Sequence, residues 1–260
     1  MAVDAGTQEP EPSAATDPPQ SDAVLARRAQ ILATEHWGLL AARGTAQSEV
    51  LTRITIFLTL VSAGLVTIGL LGQASGFAGW FAPAALSILA FLVLVGLLTQ
   101  IRVFNVAEED MTFVVAMNRL RGAYVDLDPG VERYFLQATT DDEAGMVRTY
   151  SPLLPRSDAS QVLGGSAFLI VIVNACVLGL LAGGLVAAAA APTWWAITFG
   201  VALGMLLVIE SAVSGYRRFR AAWRGYTPLR SATELPEHLR PAAKHTQRRS
   251  TAIDHHSSRA

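Results

Sequence analysis

The chain has 260 residues, 52% of them apolar and only 16% charged, with a formal net charge of −1. Soluble domains average roughly 25% charged residues, and here the charges are also segregated, which argues against a soluble fold and against nucleic acid as a partner. The single cysteine, Cys176, excludes an intrachain disulfide and reads as a small apolar packing residue. Nineteen arginines against one lysine, with abundant alanine, point to a high-GC bacterial source.

Residues 1–20 are rich in Ala, Pro, Asp and Glu and have no basic start followed by an apolar core. They read as a disordered acidic tail rather than a signal peptide. Ser21 or Asp22 can cap the helix that follows. Within residues 21–53, Leu25, Ala29, Leu32, His36 and Leu39 share one face at helical spacing. That pattern predicts an amphipathic helix lying on the membrane surface or on the cytoplasmic part of the protein, with Gly44 interrupting it before the first span. His36 beside Trp37 reads as an interfacial pair in preference to a pH sensor.

Residues 54–72 and 80–101 are almost free of charge and form a first transmembrane hairpin over residues 54–101. Thr52, Thr55, Thr59 and Ser62 fall on one face of its first helix. Such a stripe is either a packing feature or one wall of a water-lined path. Trp80 and Phe81 open the second helix at interfacial depth, and Pro83 sits in its first turn, where proline is tolerated.

No Gly or Pro occurs from Leu97 to Arg121, so the second span should run on as a helix into the polar segment 102–164. Val103, Ala107, Met111, Val114 and Met117 make its apolar arc. Gly122 should weaken it, and Asp128-Pro129 supplies a cap and first position for another helix carrying Val131, Tyr134 and Phe135. This segment reads as a small cytoplasmic helical module. Asp141, Asp142 and Glu143 lack the glycine-turned spacing of a calcium loop and read as a solvated acidic run.

Residues 165–215 hold the second hairpin, whose apolar stretches 167–190 and 194–215 are separated only by Pro192 and its neighbours. Ala175, Gly179, Gly183 and Ala187 on one helix, and Ala196, Gly200 and Gly204 on the other, recur every four residues. Small stripes of this kind let helix backbones approach closely in lipid. They fit either the hairpin crossing or a homo-oligomer. Glu210 is the one acid inside a span. An intramembrane carboxylate is costly and ordinarily faces the bundle interior or a wet cavity. Asn174, at similar depth on the antiparallel third span, and Thr59 complete a candidate intramembrane polar site, with Gln100 and Arg102 as alternative partners for Glu210.

Residues 216–260 begin with YRRFRAAWRGY, in which Arg217, Arg218, Arg220 and Arg224 alternate with aromatics beside the bilayer. That composition fits an anionic-lipid contact, followed by a disordered tail. All basic residues fall in the N-terminal segment, the central loop and the C-terminal tail, and none in either hairpin turn. The positive-inside rule then places both termini and the module in the cytoplasm.

Three segments together resemble an uncharacterised bacterial family of four-span integral membrane proteins: EHWGLL at Glu35–Leu40, RLRGAYVDLDPGVERYF at Arg119–Phe135, and TTDDEAG at Thr139–Gly145. The resemblance covers most of residues 23–226. It implies a topology and no activity, so no catalytic residue is carried over.

The expectation is therefore an all-α polytopic protein of the bacterial cell membrane, with four transmembrane helices in two hairpins and a small cytoplasmic helical module. No phosphate-binding glycine loop, nucleophile elbow or zinc-protease signature is present. A non-enzymatic interaction or regulatory role, with no cofactor and no metal, leads. The lipid bilayer, a protein at the module and a second copy of the chain are the candidate partners. A proton- or ion-coupled transporter or channel using Glu210 is the alternative.

Overall fold

The computed structural model describes residues 21–153 and 165–232. The expected acidic tail, the end of the polar segment (154–164) and the C-terminal tail beyond residue 232 lie outside the described residues. Within them the chain is all-helical. Helix α1 spans Asp22–Ser75, α2 Phe81–Leu127, α3 Glu143–Tyr150, α4 Ser166–Ala188 and α5 Thr193–Arg224, with a short 3-10 turn at Pro129–Tyr134. α1, α2, α4 and α5 are each long and apolar enough to cross a membrane, and they are the four spans the sequence predicts.

Two boundaries differ from expectation. α1 is one helix of 54 residues, not a surface helix followed by a span. At a rise of 1.5 Å per residue it is about 80 Å long, and α2 about 70 Å, so both run far beyond a bilayer core of about 30 Å. Gly44 does not interrupt α1, because a helical neighbourhood on both sides offsets the modest propensity penalty of one glycine. Gly122 is likewise absorbed within α2. Ser21 takes the position before α1 but makes no side-chain cap bond. Asp128 does cap as expected, its carboxylate accepting from Gly130 N at 2.8 Å, although the segment that follows is 3-10 rather than α.

α1 and α2 pair antiparallel from His36 onward. His36 lies by Tyr124, Arg43 bonds Asp110, Arg102 bonds Glu49, and Phe57 packs on Gly96. The turn between them needs a left-handed residue directly after α1, which Gly76 supplies at φ 61° while its N–H returns to Gly72 O. His36 stands on the extension of α1 ahead of its apolar stretch, against Tyr124 of α2.

The membrane helices form a row in the order α1, α2, α4, α5, each packing mainly on its neighbours. Buried Ile54, Phe57 and Val61 of α1, Leu89 and Leu92 of α2, and Ile170 and Val177 of α4 make one apolar core. α4 and α5 cross on their small stripes. A Cβ on Gly179 would stand 2.9 Å from Gly200 O, and one on Gly204 would stand 2.8 Å from Ala175 O. The stripes meet each other inside one chain, with backbone on backbone. Cys176 is exposed beside this crossing rather than packed into it, because the close approach points Ala175 and Gly179 inward and turns position 176 outward.

A second, smaller core lies in the helical module beyond the apolar stretches. Val114, Met117 and Met146 are buried there, covered by Leu39 of α1 and by Phe219 and Trp223 of α5. The module is therefore built from the extensions of α1, α2 and α5 together with α3. The polar segment 102–164 alone does not enclose it.

Candidate functional site

The residues proposed as an intramembrane site do not come together. Glu210 is exposed on α5 and makes no hydrogen bond or ion pair among the described residues. Thr59 is exposed on α1 and donates its hydroxyl back to Thr55 O at 2.8 Å. Thr52, Thr55 and Ser62 do the same to the carbonyls four residues earlier. The stripe is self-satisfied on an outer face.

Asn174 alone is buried, at 2% exposure. Its Nδ2 donates to Gly96 O at 2.9 Å and to Gln100 Oε1 at 2.8 Å. Gln100 Nε2 then donates to Ser211 Oγ at 2.8 Å. One buried polar chain therefore ties α2, α4 and α5 together. It uses Ser211 where the sequence pointed to its neighbour Glu210, since one helical step of about 100° separates an inward from an outward position. Asn174 Oδ1 sits against Gly96, where any side chain would collide with it and with the Phe57 ring. Asn174→Leu is expected to remove this clamp and to lower unfolding stability in detergent by about 1–2 kcal/mol. Thermal unfolding of the pure protein reads it directly.

The charges of the first hairpin are used structurally. Arg102, an alternative partner for Glu210, instead bonds Glu49 and Glu109. Among the four juxtamembrane arginines, Arg218 turns back to Glu108 at 3.2 Å. Arg224 donates to Arg220 O, and Arg220 lies over the Tyr216 ring. Arg217, Arg220 and Arg224 remain exposed, so part of the basic strip is free to face lipid headgroups and part belongs to the protein.

The module holds the most connected polar groups. Asp110 of α2 accepts from Arg43 at 2.6 Å, Gln47 at 2.8 Å and Tyr150 at 2.6 Å, joining α1, α2 and α3. Burial pushes its carboxyl up, but these donors, Arg43 foremost, outweigh burial and hold it below the usual range. Nearby, fully buried Asn118 accepts at Oδ1 from Arg121 at 2.7 Å and from Thr149 at 2.8 Å.

Asp141 is the residue the sequence most undersold. Read as part of a solvated run, it is 0% exposed and accepts four hydrogen bonds. Arg119 Nε donates at 2.9 Å, Tyr226 Oη at 2.7 Å, Leu229 N at 3.0 Å and Arg230 N at 2.8 Å. Asp142 beside it accepts from Gly145 N at the start of α3 and from Ala232 N at 2.7 Å. The two acids together clamp the segment after α5 onto the loop before α3. Among the described residues no three acids, histidines or cysteines gather as a metal site. The signal that could have found the clamp was the tyrosine, proline and two backbone amides following a basic helix end, but its partner lies some 85 residues away. No protein-family model, curated protein sequence or solved structure matches the chain, so its functional reading rests on its own residues.

Proposed function

We propose that the chain is a non-enzymatic interaction or regulatory protein of the bacterial cell membrane, with both termini cytoplasmic, that works by presenting its helical module to a protein partner. The observation that carries this reading is the apolar surface left on the part of the molecule that extends past the membrane. Trp37 is 71% exposed and Leu40, on the same face of α1, is also exposed. Tyr134, Leu136 and Leu153 stand exposed elsewhere on the module. Single exposed apolar side chains are ordinary, but neighbouring ones such as Trp37 and Leu40 on one helix face beyond the apolar stretch support a partner surface. The asymmetric distribution of arginine supports the cytoplasmic placement.

The transport alternative has less support, because Glu210 lies apart from the buried chain of Gln100, Asn174 and Ser211. A photoreactive residue at position 37, irradiated in native membranes, tests the interaction reading. A discrete crosslinked protein, diminished by Leu40→Asp, is the expected result. Absence of any protein adduct from positions 37, 134 and 153 overturns it.

A further inference from the structure

Arg121 of α2 is 92% buried by its 8% exposure, yet no carboxylate lies within ion-pair distance of it among the described residues. Its one hydrogen bond is to Asn118 Oδ1. Removing an unpaired guanidinium from water costs several kcal/mol in effective terms, so a partner for it is expected. Two further groups in the same cluster are unmet. Asn118 Nδ2 is buried without an acceptor, and His36 Nδ1 is buried without a hydrogen-bond partner. The orientation of the Asn118 amide is set by the two donors, Arg121 and Thr149, that its oxygen accepts from. The unmet end is therefore a donor.

The surrounding charge has the same sign. Burial and then Arg121 push the His36 imidazole down from its ordinary value, and burial and then Arg43 push the Arg121 guanidinium down. Asp110, the acid that Arg43 bonds, is already held by Arg43, Gln47 and Tyr150. A buried guanidinium and the orphaned amide donor it is bonded beside both lack the same thing, an acceptor carrying negative charge.

We infer that Arg121, Asn118 and His36 form a binding site for a small phosphate-type oxyanion supplied from the cytoplasmic solution. The arginine presents its remaining N–H groups, the asparagine its free Nδ2, and the histidine its ring N–H. A lipid headgroup is the less suitable source of this chemistry. His36 stands about 27 Å along α1 from the start of the apolar stretch at Ile54, whereas the headgroup layer is only about 5–8 Å thick on each side. The inference goes beyond the proposed partner surface and does not rest on it.

The test uses the full chain in nanodiscs of zwitterionic lipid, titrated calorimetrically with inorganic phosphate and, separately, with acetate. Saturable binding of one phosphate per chain is expected, weakened about tenfold or more by Arg121→Met. Asn118→Asp provides a second reading that does not depend on the first variant folding. It places a carboxylate oxygen where the orphaned Nδ2 now lies, so the protein should melt higher in phosphate-free buffer and lose its response to phosphate. Four results overturn the inference: no saturable phosphate binding, binding unchanged in both variants, binding of acetate but not phosphate, or a response that appears only when anionic lipid replaces the zwitterionic lipid.

Discussion

Asp141→Ala is expected to lower the stability of the helical module by about 2–3 kcal/mol, the loss of four hydrogen bonds to a buried carboxylate discounted for the 43% exposure of Arg119. The carboxylate is wholly buried and holds Arg119, Tyr226 and the amides of Leu229 and Arg230. Alanine strands two backbone N–H groups and frees the guanidinium at once. Amide exchange should report it first, as lost protection at residues 229 and 230 while α4 is unchanged. Tyr226→Phe removes one of the four bonds and should cost about 1–1.5 kcal/mol. Equal protection in the wild type and Asp141→Ala would remove the clamp from the account.

The clamp also has a defined pH window. Burial pushes the Asp141 carboxyl up, but the bonds from Tyr226, Arg230, Leu229 and Arg119 outweigh it and hold it below its ordinary value. A group lowered on folding adds stability above its unfolded value of about 3.9, and that stability is lost as pH falls through the lower folded value. Tyr226 titrates the other way. Burial, and then Asp141, push its phenol up to about 12. Its contribution is fully present below the unfolded value of about 10 and disappears as pH rises through the folded one. The module should therefore stay clamped across neutral pH and open only at the extremes. Tyrosinate absorbance above pH 10, compared between wild type and Tyr226→Phe, measures the alkaline side.

Gly200→Val is expected to be the most damaging change inside the membrane, at about 2–3 kcal/mol or more. Even a Cβ at Gly200 would stand 2.5 Å from Gly179 O and 3.4 Å from Gly183 N. Those atoms are backbone and cannot rotate away, so α4 and α5 must separate along their crossing. The helices of the bundle would lose close packing, which is the main attraction between helices in lipid. A control isolates position from residue type. Gly44→Ala meets nothing within 4 Å and should stabilise α1 by about 0.5–1 kcal/mol through helix propensity. Thermal unfolding of both variants in one detergent separates the two effects. If Gly200→Val melts with the wild type, the glycine crossing does not hold the hairpin.

The contrast between these two glycines marks where sequence reading stops. The stripes at 175–187 and 196–204 were legible because four-residue spacing of small side chains has one common use in lipid. Gly44 carried the same letter and a wrong expectation, since propensity near a junction says little once tertiary packing on α2 holds both flanks. The acids at 141–143 show a deeper limit. Their composition says solvent, and only the return of residues 226–232 to the module makes Asp141 a buried anchor. Glu210 shows the opposite error: it was the most conspicuous polar residue of a span, yet its neighbour Ser211 faces inward.

By itself the sequence determined the helical class, the four spans and the small-residue stripes of the second hairpin. Each of these follows from composition and local periodicity, because a bilayer demands long apolar segments with internally bonded backbones. Only the tertiary structure decided that α1 and α2 continue as one long paired extension, that α5 returns to close the module, and which polar side chains face one another. Those features depend on contacts between residues far apart in the chain and on rotations of about 100° per residue, and neither is written in any single stretch of sequence.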